Sequence, residues 1–146
     1  LSMYTITREY KFAAAHRIPG HPKCGRLHGH NYRILVEIAT HGPLTVEGFV
    51  LDFGAVDDVI KPLIDAMDHR YLAAKSDHIT AVSPEEDICW LDSPTTSAEN
   101  LASYMHLRIT QAINQQTHLG HPWTDIFVHS ITVFETDRNA ATYAPL

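Results

Sequence analysis

Three histidines and a cysteine lie close together near the start of the chain: His16 ends FAAAH, and Cys24, His28 and His30 follow in CGRLHGH. His28 and His30 are two apart, so on an extended strand both side chains point to the same side. A hairpin would bring His16, which closes the preceding strand-like run, beside them. Neutral imidazole is a good zinc ligand, and three protein ligands leave a fourth tetrahedral position for water or substrate, the pattern of a catalytic site. The other reading makes Cys24 the fourth ligand of a closed structural site. Outside the metal, Cys24 has Lys23 and Arg26 beside it, cations that suit a cysteine working as a thiolate base.

The elements that must position these residues are legible as alternating and helical patterns. Residues 4–16 place Tyr4, Ile6, Arg8, Tyr10, Phe12, Ala14 and His16 on one side, and 28–38 place His28, His30, Tyr32, Ile34, Val36 and Ile38 on one side. Between them, 17–27 carries two prolines and two glycines and reads as a loop. A helix is predicted from Phe53 to Met67, capped by Asp52, with Phe53, Val56, Ile60, Leu63, Ile64 and Met67 inward and Pro62 kinking it or shifting its start. Residues 73–95 are irregular, with a short helical turn begun by Ser83-Pro84-Glu85-Glu86. Thr96-Ser97-Ala98-Glu99 fits a capping box and opens a second helix to about Gln116. Leu101, Tyr104, Met105, Leu107 or Arg108, Ala112 and Ile113 form its inner face, and His118 to Pro122 ends it. Asp125–Thr136 is a final strand with Phe127, His129, Ile131, Val133 and Glu135 on one side. The expected fold is α+β, a mainly antiparallel four-stranded sheet with two helices on one face.

Composition narrows the function classes. The 146 residues suit a single domain over 3–146, and Leu1-Ser2 ahead of Met3 is expected to be an expression remnant. A net charge of -6 argues against a general nucleic-acid binder, and no apolar run is long enough to span a membrane. Without a secretory signal, Cys24 and Cys89 read as thiols of a reducing cytoplasm, Cys89 as a buried one. His118 and His121, spaced like a ligand pair, sit in a Gly/Pro loop and are expected to face solvent.

FAAAH, KCGRLHGHNY, GFVLDFGAVDDVIKP, MDHRYL, SAEN and FET, in that order, resemble the motifs of the 6-pyruvoyl-tetrahydropterin synthase family over most of the chain. The CGRLHGH form is most similar to its queuosine-pathway branch, the 6-carboxy-5,6,7,8-tetrahydropterin synthases. The resemblance implies zinc on His16, His28 and His30, a catalytic thiol at Cys24, and an Asp68–His69 pair in which the aspartate orients the histidine. It further implies a pterin-anchoring carboxylate at Glu135. The implied assembly is a tunnelling-fold homohexamer, two stacked trimers with active sites between subunits.

The implied reaction is zinc-dependent lysis of 7,8-dihydroneopterin triphosphate to 6-carboxy-5,6,7,8-tetrahydropterin, with loss of triphosphate and acetaldehyde. Lys23, Arg26 and Arg17 are the local cations expected to meet the triphosphate of a substrate that an acidic protein does not otherwise attract. Imidazole exchanges protons near neutral pH, which suits His69 to acid–base work, and paired carboxylate oxygens suit the amino-pyrimidine edge of a pterin. Other readings stay open. Asp68 and His69 could serve a helix end, Glu135 could be an exposed strand end, and Glu99 could be a cap rather than a substrate contact. Two alternatives stand for the whole chain: a pyruvoyl-type synthase that only eliminates triphosphate, and a non-catalytic pterin- or purine-binding zinc module.

Overall fold

The computed structural model describes residues 2–78, 84–118, 123 and 125–146. Six strands form one sheet: β1 (Tyr4–His16), β2 (His28–Thr40), β3 (Arg70–Ala74), β4 (Ile88–Leu91), β5 (Ile126–Phe134) and β6 (Ala140–Tyr143). Two helices, α1 (Phe53–Asp65) and α2 (Ala98–His118), pack against it and against each other. The sheet order is β4-β3-β1-β2-β5-β6. The β1–β2, β2–β5 and β5–β6 pairs are antiparallel, whereas β3 runs parallel to both β1 and β4. The four-stranded, mainly antiparallel sheet expected from the sequence is therefore corrected to a mixed sheet of six. The added strands are four or five residues long, too short for a period-two pattern to stand out, and parallel pairing buried on both sides replaces alternation with the continuous apolar run Tyr71 to Ala74.

The β1–β2 ladder runs in unbroken register from Tyr4–Thr40 to His16–His28. Its even-numbered face carries the core, where Tyr32, Ile34, Val36 and Ile38 are almost wholly removed from solvent. Each such side chain stabilises the fold by about 1.5–3 kcal/mol. Val56, Ile60 and Ile64 of α1 and Leu101, Met105, Ile109 and Ile113 of α2 close over this face. Asp52 caps α1 by accepting from the Ala55 N–H, and the helix runs through Pro62 to end three residues later. Phe53 is not inward. It is half exposed, with the Arg8 guanidinium over its ring, and Leu107 of α2 is likewise exposed. Asp57 on α1 accepts both Arg8 nitrogens, at 2.8 and 2.6 Å, and the Tyr10 hydroxyl at 2.7 Å. Arg8 above all pulls that carboxyl down to about 2, and the cluster ties α1 to β1.

Two sequence expectations fail for local reasons. The cap of α2 is Ser97, whose hydroxyl accepts from the Asn100 N–H, one residue later than the predicted Thr96 box. On β5, a register shift opposite Glu37 and Ile38 leaves His129 as an extra residue. Phe127 then pairs with Ala39, off the face shared by Ile131 and Val133, which pair with Val36 and Ile34. The predicted helical turn is a 3-10 turn at Glu85–Asp87. Ser83, Gly120, His121 and the side chain of His118 lie outside the described residues.

Candidate metal centre and active site

His16 stands directly opposite His28, and Ala14 opposite His30, so the three imidazoles meet at the open end of the ladder on its core face. One nitrogen from each lies within 4.8 Å of the others. Among the described residues this is the group that could hold a metal ion, and neither the Cys24 thiol nor the Glu135 carboxylate belongs to it. Cys24 as a fourth ligand of a closed site therefore has no geometric support.

Two of the rings are oriented from behind. His16 Nδ1 donates to the Thr96 carbonyl at 2.9 Å, with the Thr96 hydroxyl at 3.2 Å, and that hydroxyl donates to the Arg17 carbonyl. His28 Nδ1 donates to the Arg26 carbonyl at 2.7 Å. These outer partners fix the tautomer that leaves Nε2 with its lone pair outward, as ligating histidines require. His30 Nε2 stands 3.1 Å from His16 Nε2, and two ring nitrogens so close need a proton or a cation between them. Burial pushes the His16 imidazole down to about 4 and lowers His30 as well, which favours the neutral, metal-binding form. A borderline-soft divalent ion such as zinc fits this all-imidazole set.

Glu135 adjoins the cluster, its two carboxylate oxygens 3.9 Å from His16 Nε2 and from His30 Nε2. It follows β5 and starts the turn into β6, its N–H donating to the Asn139 carbonyl. Glu135 and the imidazoles therefore form one site within a single chain.

Asp68 and His69 are fixed elsewhere. Asp68 Oδ1 accepts the Ala13 N–H at 3.0 Å and lies 2.9 Å from His69 Nδ1, while the His69 N–H donates to the Ala13 carbonyl at 2.6 Å. The Ala13 hydrogen bond, ahead of His69, holds the Asp68 carboxyl below its usual range. His69 adopts a left-handed backbone (φ 59°), uncommon for a residue with a Cβ, and its side chain is 82% exposed. It lines an open cleft of about 640 Å³ with Ala13, Ala15, Gly29 and Asn31, residues of the opposite face of the β1–β2 pair, and His30 also borders it.

Cys24 sits in the 17–27 loop, which is not the loose tether that its composition suggests. The Ile18 N–H donates to the Cys24 carbonyl at 2.7 Å, and the Gly25 N–H to the His21 carbonyl at 3.0 Å. His21 Nδ1 accepts from the Cys24 and Lys23 N–H groups at 2.9 and 3.2 Å. Gly25 is required there, since a Cβ would stand 2.5 Å from the His21 carbonyl oxygen. Lys23 and Arg26 are exposed and make no ion pair among the described residues. Arg17 is otherwise engaged, its guanidinium bound by both oxygens of Asp77 at 3.1 and 2.5 Å. Cys89 is half-buried, and burial pushes its thiol up.

Comparison with known proteins meets this geometry. The family model of 6-pyruvoyl tetrahydropterin synthase matches residues 5–145. The chain belongs to that family. A Synechocystis protein named 6-carboxy-5,6,7,8-tetrahydropterin synthase is 33% identical over 97% of this chain and 93% of its own length. A Rickettsia felis protein of the same name is 32% identical over 92% of this chain and 95% of its own. In fold, the protein resembles the crystal structure of 6-pyruvoyl tetrahydropterin synthase from Plasmodium vivax, with a TM-score of 0.77 over 97% of both molecules at 18% identity. Family members are tetrahydropterin synthases, and in this chain three histidines form a group that could hold a metal ion.

Three residues around these groups were not singled out from sequence: Thr96 behind His16, His21 bonded to the Cys24 backbone, and Tyr32, whose ring lies beside those of His16 and His30. Thr96 read as a helix cap and His21 as loop. Tyr32 read only as a member of the strand face that carries His28 and His30; it is buried there, its ring stacked on Phe12 with centroids 5.0 Å apart. A hydroxyl between His30 and the apolar Ile34, Val36 and Ile38 was the one available signal for it.

Proposed function

We propose that the protein is a zinc-dependent lyase that converts 7,8-dihydroneopterin triphosphate and water to 6-carboxy-5,6,7,8-tetrahydropterin, triphosphate and acetaldehyde, as a single pterin-synthase-like domain over 3–146. The observation that carries the reading is the convergence of the His16, His28 and His30 ring nitrogens beside the Glu135 carboxylate. The relatives named 6-carboxy-5,6,7,8-tetrahydropterin synthase favour the carboxy product, and the CGRLHGH form, in its resemblance to the queuosine-pathway branch, supports a place in 7-deazapurine synthesis.

Zinc on the three Nε2 atoms would supply Lewis acidity to the hydroxyls of the substrate's polyol tail. Glu135 receives the paired N–H donors of the amino-pyrimidine edge and fixes the ring's distance from the imidazoles. Cys24, held by the folded loop, acts as the base toward a C–H bond of that tail, and His69, kept in orientation by Asp68, returns or removes a second proton. Lys23 and Arg26, unpaired on the loop surface, receive the leaving triphosphate, a role that Arg17 gives up to Asp77.

His69 lines a cleft bordered largely by the opposite face of the strand pair, which His30 alone of the three imidazoles reaches, and its ring is not part of the histidine cluster. This separation supports a site completed by a second copy, within a cytoplasmic homohexamer built as a dimer of trimers. Product analysis tests the reading. Zinc-loaded protein given the triphosphate should release 6-carboxytetrahydropterin and acetaldehyde. No turnover would remove the reading, and 6-pyruvoyl-tetrahydropterin would select the elimination-only synthase. Cys24→Ala should keep its zinc and lose turnover, whereas loss of zinc would make the thiol a ligand.

A further inference from the structure

The phenol of Tyr32 is buried, with 1% of the residue exposed, yet among the described residues its hydroxyl has no hydrogen-bond partner. A buried hydroxyl without a partner costs about 1–3 kcal/mol, so its retention calls for a reason. Its ring stands 5.4 Å from that of His30 and 6.0 Å from that of His16, centroid to centroid. The β2–β5 ladder pairs Arg33 with Phe134, so the next rung sets Tyr32 opposite Glu135 on the same face. The partnerless Tyr32 hydroxyl thus lies across from Glu135, the carboxylate beside the histidine cluster. That carboxylate is turned toward His16 Nε2 and His30 Nε2, at 3.9 Å from each, longer than a hydrogen bond.

We propose that Tyr32 is a positioning residue: its buried hydroxyl donates to the Glu135 carboxylate when a pterin is bound, fixing the orientation in which Glu135 meets the ring. Glu135 stands after the last residue of β5, at the start of a turn, where backbone alone sets its side chain loosely. A donor anchored in the core supplies the missing constraint. A residue with two acceptor oxygens can give one lone pair to Tyr32 and still accept both ring donors. Phenylalanine at this position would pack equally well on Phe12 and could not hold the carboxylate.

The inference rests on the pterin reading of the site, and the test separates the two. The probe is pterin-6-carboxylate, fully oxidised and fluorescent, titrated into zinc-loaded wild type, Tyr32→Phe, Glu135→Gln and the double variant. Zinc affinity and Tm are measured alongside. The expected result is about tenfold weaker binding for Tyr32→Phe, with zinc affinity and Tm unchanged or Tm slightly raised, because no protein partner is lost. In the Glu135→Gln background the same change should cost about twofold or less, since Tyr32 acts through the carboxylate. Equal affinity of wild type and Tyr32→Phe overturns the inference alone. So does a full tenfold loss in both backgrounds, or a loss accompanied by lower Tm and zinc release. Failure of wild type to bind the pterin removes the substrate reading and this inference with it.

Discussion

The two parts of the candidate site are held in opposite ways. The imidazoles hang from the longest strand pair of the molecule, backed by the core and oriented by carbonyls of Thr96 and Arg26. Asp68 and His69 sit at the joint between α1 and β3, held by the backbone of Ala13, with the His69 ring facing solvent in a left-handed conformation. One part is complete within the chain. The other borders an open cleft of about 640 Å³, with the His69 side chain exposed to solvent.

The largest effect that tests this contrast is on metal binding. His16→Ala or His30→Ala should weaken zinc binding well beyond the roughly 10–100-fold expected of a lost outer partner. His69→Ala should leave it within about twofold. Competition with a chromophoric chelator measures both, and zinc loss from His69→Ala would break the division.

Acid should act on the buried part first. His16 is held down to about 4 against a usual 6.5, so the unfolded chain takes up a proton that the folded, metal-free protein refuses. Stability is therefore full above 6.5 and falls as pH drops toward 4, by on the order of 3 kcal/mol from this group. Urea unfolding of the metal-free protein across that window reads it. A flat profile would mean that His16 is not kept neutral by burial.

The same contrast explains what the residue pattern could and could not reveal. Long alternation carried β1 and β2 and with them the three clustered histidines, since register alone puts His16 opposite His28. Strands β3, β4 and β6 escaped because four or five residues hold too little periodicity, and the face of Phe127 was misassigned because a bulge leaves no mark in composition. Arg17 looked like a free cation because its partner Asp77 is sixty positions away. Thr96 looked like a cap because a hydroxyl before a helix usually is one. Local chemistry was readable wherever it repeats along the sequence, and not where it depends on a distant partner.

A smaller effect probes the ring's support. Thr96→Val keeps the shape and the carbonyl that accepts from His16 Nδ1, but removes the hydroxyl that bridges His16 and the Arg17 carbonyl. Zinc affinity should fall by about tenfold, the low end for an outer partner, and Thr96→Ser should restore it. Equal loss in the serine variant would assign the effect to packing.

The smallest effect falls on the 17–27 loop that joins β1 to β2. His21 Nδ1 accepts two backbone N–H groups, those of Lys23 and Cys24, and so holds the thiol's main chain from an exposed position. In His21→Ala water takes over both donors, so the stability cost should be about 1 kcal/mol or less, and zinc affinity should not change. What should change is local: the Lys23 and Cys24 amides should exchange with solvent faster than in wild type, while those of β1 and β2 keep their protection. Turnover should fall through kcat, since a wandering thiol spends less time in line with the substrate. Hydrogen exchange followed residue by residue decides it. If protection of β2 is lost along with the loop, the loop and the ligand-bearing strands are one cooperative unit, and the separation between a rigid metal part and a loosely held acid–base part is wrong.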